Sequence, residues 1–497
     1  MCGIVAAYGA ADPETLERML ERVAHRGPDD RGAVEIEEGW LGHRRLSIVD
    51  VGGGKQPLVT SDGEMWLVGN GEVYNHAEIR ETLSDSDFQT DSDNEVALHL
   101  IDERGPMALA ELNGMFAFVA GGRGKFVAAR DPVGIKPLYW AERDGAVRFA
   151  SEMHAFDEAW RPLVEPFPPG CVWTPEDGLR QFASVIPETL EPPPRDRMIE
   201  GTREALIHAV ERQMMGDVPV GVFLSGGLDS SLVAAIAARY LADRGQKLKT
   251  FAVGTPESPD LAAARRVAEH IGSEHHETTY TEAGALETLP TVVQAIESFD
   301  PGLVRSAVPN FMLARFTAQH VKVVLTGEGA DELFAGYDYM RDFSDPEALH
   351  EELERTIKAL HNLNLQRCDR VTMAHGLEAR VPFLDREVIE WGLSLPPDVK
   401  VAPPGQPEKK LLREAFDGWL PDELLWRDKA EFGDGSGARD VLSAAVSADI
   451  SDDEFETERF AVDPPLRTKE ELAYYRIFNE HLDGVRAEVA ISRFARA

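Results

Sequence analysis

A glycine- and serine-rich turn is the first place in this chain where chemistry is expected. Its residues, Ser225-Gly226-Gly227-Leu228-Asp229-Ser230-Ser231, lie between an apolar run and an alanine-rich helical pattern. Glycines let the backbone turn tightly and bring N–H groups close to an anion, and a helix start adds the positive end of its dipole. No Gly-Lys-Ser/Thr follows, so this is not a Walker A loop. The turn predicts a phosphate cradle in which Asp229 holds Mg²⁺; a serine-capped strand–helix turn is the alternative.

A second glycine-rich turn has the same arrangement as the first. Thr326-Gly327-Glu328-Gly329-Ala330-Asp331-Glu332 also follows an apolar run. In a parallel sheet, the ends of both strands would face one crevice. Asp331 is then a second carboxylate for Mg²⁺, and Glu328 is a candidate general base. Taken alone, this turn would equally suit a helix N-terminus whose acidic residues favour the dipole.

The N-terminus is a third candidate site. Removal of Met1 would leave Cys2 with a thiol and a free α-amine on the same residue. An α-amine has a pKa of about 7.7–8.0, so it can accept the thiol proton near neutral pH. Gly3 leaves room for a substrate beside the thiol. The alternative is a buried cysteine that acts as a small apolar side chain.

The patterns that surround these residues divide the chain at a proline-rich segment, residues 186–194. Before it, short strand-like runs alternate with turn pairs, which predicts sheets flanked by helices. The predicted strands are 4–8, 65–68, 116–119, 125–129 and 147–150; the turn pairs are Asp62-Gly63, Asn70-Gly71 and Asp144-Gly145; the helical patterns are 13–23 and 94–103. We therefore expect domains at 2–190 and 198–497.

After the proline-rich segment, strands alternate with helices, which predicts a parallel sheet covered on both faces. The predicted helices are 198–215, 231–242 and 261–271, and the predicted strands are 219–224, 248–253 and 321–325. Beyond residue 340 the pattern is mostly helical. The sequence thus indicates an α/β protein of two unlike halves.

The amino-acid composition limits the expected environment of the protein and the classes of partner that it could bind. Acidic residues outnumber basic ones 87 to 51, and only 12 of the basic residues are lysine. A net charge of −36 repels nucleic acid and anionic lipid, so neither is an expected partner, and the lysine shortage favours adaptation to high salt over solubility alone. Three widely spaced cysteines, no apolar run of about 20 residues and no basic leader predict a cytoplasmic protein.

Motifs along the chain match one family. In the first half they are 2–5 (Cys-Gly-Ile-Val), 25–29, 42–50, 70–75, 91–95 and 129–134; in the second half they are 225–231, 251–254, 258–260, 327–337, 378–385 and 426–429. Over nearly its full length the chain resembles glutamine-hydrolysing asparagine synthetases. The resemblance implies an αββα sandwich of the N-terminal-nucleophile glutaminases. It further implies a parallel-sheet ATP-pyrophosphatase domain with a largely helical C-terminal part.

The resemblance implies roles for residues of the first half. Cys2 would attack the side-chain amide of glutamine and form a thioester. The Asn70 side chain and the Gly71 N–H would form the oxyanion hole. Arg45 would bind the α-carboxylate of glutamine, while Glu72 and Asp93 would hold its α-ammonium group.

In the second half, the resemblance implies that ATP activates aspartate as β-aspartyl-AMP and that ammonia then displaces AMP. Asp229 and Asp331 would bind Mg²⁺, Glu328 would remove a proton, and Lys429 would neutralise phosphate charge. The ATP-binding residues would be Ser225, Gly226, Gly227, Asp229, Ser230, Val253 and Gly327. Homodimers are common in the family, so a homodimer is an open expectation.

Two departures from the family pattern concern the acceptor. Gly302-Leu303-Val304-Arg305 stands where the family has Thr-Thr-Ile-Arg, and Ala430-Glu431-Phe432-Gly433 follows Lys429 where the family has Glu-Gln-Phe-Ser. Arg305 remains the candidate carboxylate binder. Besides asparagine synthesis from glutamine, aspartate and ATP, two alternatives stay open. One is amidation of another carboxylate, and the other is a glutaminase-like sensor with an inactive second domain.

Overall fold

Three β-sheets organise the protein. The computed structural model describes residues 2–83, 86–188, 190–403, 405–427 and 439–491. Two sheets from the first half have only antiparallel pairs, and the sheet of the second half is parallel. This confirms the expected α/β class with two unlike halves.

The first half contains two six-stranded sheets. In spatial order, sheet I consists of β10 (Glu165–Pro166), β8 (Tyr139–Arg143), β9 (Ala146–Ala150), β1 (Gly3–Tyr8), β3 (Gly39–Arg45) and β2 (Asp30–Ile36). Sheet II consists of β12 (Gly178–Gln181), β11 (Cys171–Thr174), β7 (Lys125–Arg130), β6 (Gly114–Gly122), β5 (Met65–Val73) and β4 (Leu58–Val59). Helices α1 (Pro13–Arg22), α2 (His76–Thr82) and α3 (Glu95–Arg104) complete this half.

The side-chain alternation of β1 shows how these layers stack. Successive residues of a strand point to opposite faces. Ile4 and Ala6 therefore pack between the two sheets, whereas Val5 and Ala7 pack under α1 on the outer face of sheet I. Helices α2 and α3 cover the outer face of sheet II. The first half is thus an αββα sandwich, as expected, and β1 is buried on both faces.

One predicted turn is wrong. Asn70-Gly71 does not separate two strands but lies inside β5, where its residues pair with Ala117 and Phe116 of β6. The Asn-Gly pair is typical of hairpin turns. Here Gly71 has φ +151°, and a β-carbon would collide with the Met115 carbonyl oxygen. The glycine therefore permits close strand approach instead of a chain reversal.

The second half is built on sheet III, whose spatial order is β15 (Glu274–Thr279), β14 (Lys249–Gly254), β13 (Val220–Phe223), β16 (Val323–Leu325) and β17 (Glu378–Arg380). Its helices are α4 (Met198–Gln213), α5 (Leu228–Ala242), α6 (Pro259–Ile271), α7 (Glu282–Ile296), α8 (Pro301–Thr317), α9 (Ala330–Leu333), α10 (Pro346–Ala359), α11 (Asn364–Met373), α12 (Arg386–Ser394), α13 (Pro397–Lys400), α14 (Lys410–Ala415), α15 (Asp422–Leu425), α16 (Arg439–Ala448), α17 (Asp452–Glu458), α18 (Lys469–Leu482) and α19 (Ala487–Ala490). None of the described helices is long and apolar enough to cross a bilayer.

Local sequence explains where several of these helices begin. Ser258, Asp300 and Asp345 each accept a hydrogen bond from a backbone N–H of the first turn, and each is followed by proline. A side-chain acceptor satisfies an otherwise unpaired N–H, and proline at the first helical position loses no hydrogen bond. These caps start α6, α8 and α10.

A buried ionic cluster joins the two halves. Arg26, just after α1, donates to Glu152 (2.6 Å) after β9 and to Asp369 (2.9 Å) on α11. Arg370, also on α11, pairs with Glu152 (2.8 Å) and with Glu297 (3.0 Å) after α7. All five side chains are buried. Because removing one partner from such a cluster strands a buried charge, the cluster fixes how the sandwich docks on α11.

His154 extends this cluster and makes it sensitive to pH. Its Nδ1 lies 2.8 Å from Glu297, and its Nε2 lies 3.0 Å from the carbonyl oxygen of Arg22. Although burial alone would lower it, Glu297 and Glu152 raise the pKa of His154 to about 9. The stabilisation that protonated His154 gives the folded protein is complete below the pKa of histidine in the unfolded chain, about 6.5, and is lost as pH rises through 9. We therefore expect the melting temperature to fall between pH 7 and pH 9.5, and less steeply in His154→Gln; equal slopes would contradict the assignment.

Candidate active sites

Cys2 directly precedes β1 and is buried in the sandwich. Its backbone N–H donates to the Asn70 side-chain oxygen (2.9 Å), and its carbonyl oxygen accepts from Arg26 (3.0 Å). Burial raises the pKa of the Cys2 thiol. A thiol in such a place needs an adjacent base, and the nitrogen held by Asn70 becomes that α-amine once Met1 is removed.

Asn70 has a free donor beside the thiol-bearing residue. Its Oδ1 is taken by Cys2, whereas its buried Nδ2 has no hydrogen-bond partner among the described residues. A buried donor without a partner costs stability and is therefore explained best by a ligand. Asn70 thus has an amide group suited to a negative oxygen, and Gly71 is the next residue on the same strand.

Asn70→Asp removes this donor and keeps an oxygen that accepts from Cys2, and its added negative charge further disfavours an oxyanion. Losing one oxyanion donor costs about 10²–10³ in kcat in comparable enzymes. We expect a loss of at least that size in glutamate release from glutamine. Synthesis from ammonium salts should continue and serves as the control for folding. Unaltered glutamate release would remove Asn70 from the site.

Arg45, at the end of β3, is held by backbone oxygens. Its guanidinium donates to the carbonyls of Val49 (3.2 Å), Asp50 (2.7 Å) and Val51 (3.3 Å). It is almost fully buried, and in the described part of the chain no carboxylate forms an ion pair with it. A buried cation that only carbonyls surround is suited to bind a carboxylate ligand.

Two buried acids, Asp93 and Glu72, lie close to each other in the sandwich. Asp93 accepts from the backbone N–H of Val73 (2.6 Å) and from the Asn94 side chain (3.0 Å), and burial raises its pKa. Glu72, beside Gly71, is 3% exposed, and its Oε2 has no hydrogen-bond partner within the described ranges. Burial, together with the charges of Glu378 and Asp93, raises the pKa of Glu72 well above its usual value. An ammonium ligand would relieve both acids.

In the second half, the predicted phosphate cradle lies between β13 and α5. Ser225 and Ser230 hydroxyls are 3.0 Å apart, and the Gly227 N–H donates to Ser225 (3.3 Å). Gly226 has φ +77°, and a β-carbon there would meet Ala263 and Ala264 on α6. Only glycine fits this bend, so the cradle depends on it.

The two glycine-rich turns meet, as predicted. Strands β13 and β16 are parallel neighbours, so their ends lie side by side. A β-carbon on Gly327 would lie 2.9 Å from the Asp229 β-carbon and 3.0 Å from the Ser230 nitrogen. Gly327 therefore allows the second turn to touch the first, and both face one crevice at the carboxyl edge of sheet III.

Lys409 completes this crevice, and the sequence reasoning missed it. Its ammonium lies 2.6 and 2.8 Å from the two Asp229 oxygens and 2.7 Å from Asp331. Although burial alone would lower it, these aspartates raise the pKa of Lys409 above its usual value. A β-carbon on Gly336 would collide with both Asp331 and Lys409. The scarcity of lysine in this chain was the available signal, because it makes a Lys-Lys pair at 409–410 conspicuous.

Lys409→Met tests whether the cation works on phosphate. The variant keeps the chain length but leaves two facing carboxylates without their shared cation, and one charge-stabilising group is worth about 10²–10³ in kcat. We expect ATP conversion to AMP to fall by about that factor, with glutamate release unchanged. The matched control is Lys410→Met, whose side chain pairs with Glu414. Similar losses in both variants would contradict a specific role.

Glu328 lies in the same crevice and is ion-paired to Arg367 on α11. Burial, assisted by Asp331 and Asp229, raises its pKa although Arg367 opposes the change. A carboxylate with a raised pKa is a better proton acceptor near neutral pH. The position and the electrostatics of Glu328 therefore fit a general base.

The other predicted residues have different surroundings. Val253 is buried in β14, beside the cradle strand β13. Arg305 on α8 is paired through two nitrogens with Glu470 of α18. Lys429 lies outside the described residues. Arg427, another residue that the sequence reasoning missed, donates to the Gly226 carbonyl (3.1 Å) and to Asp260 (2.9 Å). The segment before Lys429 is thus anchored on the phosphate cradle.

A buried cysteine at position 2 of an αββα sandwich, joined to a parallel sheet with a glycine-lined crevice, is the arrangement expected of a glutamine amidotransferase, and the comparisons with known proteins agree. The family model "Glutamine amidotransferase domain" matches residues 1–165, and the model "Asparagine synthase" matches residues 201–345 and 341–493. The chain belongs to the asparagine synthase family.

Individual relatives agree along nearly the whole chain. "Asparagine synthetase [glutamine-hydrolyzing] 3" of Arabidopsis thaliana is 40% identical over 97% of this chain and 87% of its own length. The Asparagus officinalis relative is 40% identical over 97% of this chain and 85% of its own length. "Probable asparagine synthetase [glutamine-hydrolyzing]" of Schizosaccharomyces pombe is also 40% identical, over 97% of this chain and 93% of its own length.

Proposed function

We propose that this protein makes asparagine from aspartate, glutamine and ATP, with glutamate, AMP and pyrophosphate as the other products. The observation that carries the proposal is 40% identity to glutamine-hydrolysing asparagine synthetases over 97% of the chain. We assign the amidotransferase reaction to a domain at 2–190 and the synthetase reaction to a domain at 198–497. All three cysteines are free thiols, which suits the reducing cytoplasm.

Ammonia release is assigned to the sandwich. The Cys2 sulfur attacks the amide carbon of glutamine while the α-amine of Cys2 takes the thiol proton. The amide oxygen becomes negative and accepts hydrogen bonds from Asn70 and Gly71. The amine returns the proton to the leaving nitrogen, ammonia departs, and water hydrolyses the thioester to glutamate. Arg45, Glu72 and Asp93 hold the two charged ends of the substrate.

Asparagine formation is assigned to the crevice of sheet III. The β-carboxylate of aspartate attacks the α-phosphorus of ATP, and pyrophosphate leaves toward Ser225, Gly227 and Lys409. Ammonia then attacks the activated carbonyl, Glu328 takes a proton, and AMP leaves. The 225–231 turn and Gly327 bind the nucleotide, Val253 lies against adenine, and Lys429 neutralises phosphate charge.

Asp229 and Asp331 would hold Mg²⁺. Their carboxylates already converge on one cation, the Lys409 ammonium, and oxygen donors are the ligands that Mg²⁺ prefers. When bound, Mg²⁺ would neutralise charge on the phosphates of ATP.

Product identification tests the proposal. The full chain is incubated with amide-¹⁵N glutamine, aspartate, ATP and Mg²⁺ in molar KCl, and the products are identified by mass spectrometry. We expect ¹⁵N-asparagine, glutamate, AMP and pyrophosphate in equal amounts. Glutamate without AMP would indicate the sensor alternative with an inactive second domain, and ADP in place of AMP would contradict the adenylate route.

The surroundings of Arg305 favour a second candidate function, the amidation of a carboxylate other than aspartate. Glu470 occupies this proposed acceptor-binding guanidinium, and Gly302 and Leu303 offer no side-chain hydroxyls. If another carboxylic acid is the substrate, it should outcompete aspartate in AMP formation. A panel of small dicarboxylic and amino acids, each tested against aspartate, distinguishes the two. With aspartate as substrate, Arg305→Gln should raise its KM and leave glutamate release unchanged.

A further inference from the structure

A side chain of the second half reaches the proposed glutamine pocket of the first. Arg380, at the end of β17, lies with its Nη2 3.6 Å from Oε1 of Glu72. Its Nε donates to Glu378 (2.6 Å), and its Nη1 donates to the carbonyls of Gln213 (2.7 Å) and Met215 (2.5 Å). Arg380 is fully buried, so these partners, and not water, compensate its positive charge.

The contact between Arg380 and Glu72 is incomplete on both sides. Arg380 Nη2 and Glu72 Oε2 are both buried atoms without a hydrogen-bond partner in the described part of the protein. Burial, followed by the like charges of Glu378 and Asp93, raises the pKa of Glu72 and favours its neutral form, whereas Arg380 favours its ionised form. An ammonium ligand on Glu72 needs the ionised form. Arg380 therefore supplies the positive charge that favours the ionised form of Glu72.

The position of Arg380 is set by the second half. Its carbonyl oxygen accepts from the Thr326 N–H (2.9 Å), at the start of the turn that carries Glu328. Residue Leu325 of β16 is its register partner in sheet III. Backbone pairing, two carbonyls at the end of α4 and Glu378 thus hold the guanidinium in one place.

We propose that Arg380 is a positioning residue through which the synthetase half completes the glutamine pocket, holding Glu72 charged and in place for the substrate's α-ammonium group. The proposal rests on the proposed function and adds that recognition of an α-amino acid, not cleavage of the amide, depends on the second half. It follows that the sandwich alone would bind glutamine poorly.

The test compares substrates with and without the α-ammonium group in the full chain. Arg380→Gln removes the charge and Arg380→Lys keeps it. For glutamine we expect Arg380→Gln to raise KM about tenfold to a hundredfold with little change in kcat, the range of one to two ion-pair contacts. Arg380→Lys should recover part of the affinity. For 5-amino-5-oxopentanoate, which is glutamine without its amine, KM should be the same in all three proteins.

A matched control separates the loss of Arg380 from the general effect of removing a buried arginine. Arg413 is equally buried and binds one glutamate, Glu408, together with backbone carbonyls. Arg413→Gln should leave the KM for glutamine unchanged. If Arg380→Gln is poorly folded, Arg380→Lys still tests the proposal. Lysine keeps the charge but lacks the planar guanidinium that faces Glu72, so it should raise the KM for glutamine and leave the KM for the analogue unchanged.

A double-mutant cycle identifies the partner. If Arg380 acts through Glu72, Arg380→Gln should add no further rise in KM to Glu72→Gln. In Arg380→Gln alone, the KM for glutamine should fall as pH rises, because Glu72 then ionises only at higher pH. Additive effects, an equal rise for the analogue, or a loss confined to kcat would each overturn the proposal. No glutamate release by the unmodified protein would instead overturn the proposed function.

Discussion

Cys2→Ala is expected to abolish the use of glutamine while asparagine synthesis from ammonium salts continues. The variant lacks the sulfur that attacks the amide, and no other described side chain of the pocket is a nucleophile of comparable strength. Removing a covalent nucleophile costs on the order of 10⁶ in kcat in a well-studied hydrolase, so we expect glutamate release to fall by at least ~10³. The readout is glutamate and asparagine formation from each nitrogen donor.

The matched control for this experiment is Cys171→Ala. Cys171 is a free thiol at the start of β11, in the same sandwich, and has no role in the pocket. Its replacement should leave both nitrogen sources usable. Full activity of Cys2→Ala with glutamine would exclude Cys2 as the nucleophile. A parallel loss of the ammonia reaction would show that the substitution disturbs the fold.

Asp229→Asn is expected to have the converse effect, stopping ATP consumption and leaving glutamate release intact. Asparagine keeps the shape of the side chain but removes the charge that faces Lys409 and that would bind Mg²⁺. Removing one electrostatic contribution of this kind lowers kcat by about 10²–10³. The measurement is aspartate-dependent release of pyrophosphate, with glutamate release followed in the same sample.

The control for Asp229 lies on the same helix. Asp243 is exposed at the C-terminal end of α5, and Asp243→Asn should leave both reactions unchanged. AMP formation at the normal rate in Asp229→Asn would make the Mg²⁺ assignment wrong. Higher Mg²⁺ should restore part of the activity of Asp229→Asn if Asp331 still binds the ion, and this recovery distinguishes weakened binding from misfolding.

Local sequence patterns were sufficient for most of the architecture. Short apolar runs bounded by turn residues predicted β1 and β9, and the strand–turn–helix pattern predicted the glycine-rich turn between β13 and α5, because these signals depend only on near neighbours. The prediction that two glycine turns share a crevice also held, since parallel strands end at the same edge of a sheet. Motif resemblance then supplied roles that these patterns alone left open.

The dipeptide Asn70-Gly71 shows where local reasoning stops. Its composition is typical of a hairpin turn, yet the pairing of β5 with β6 places it in mid-strand. The deciding forces are long-range backbone hydrogen bonds and the close approach of Met115, neither of which a short window of sequence contains. The same placement turns the Asn70 amide into a free donor next to Cys2.

By itself the sequence predicted the two unlike halves, Cys2 as the candidate nucleophile and the acidic residues that line the crevice. Only the tertiary structure decided which charges share a site. Lys409 meets Asp229 across 180 residues, and Arg380 meets Glu72 from the opposite half of the chain. The physical reason is that a buried charge needs a partner wherever the fold brings one near, and no periodic or local pattern in the sequence tells which distant residue that partner is.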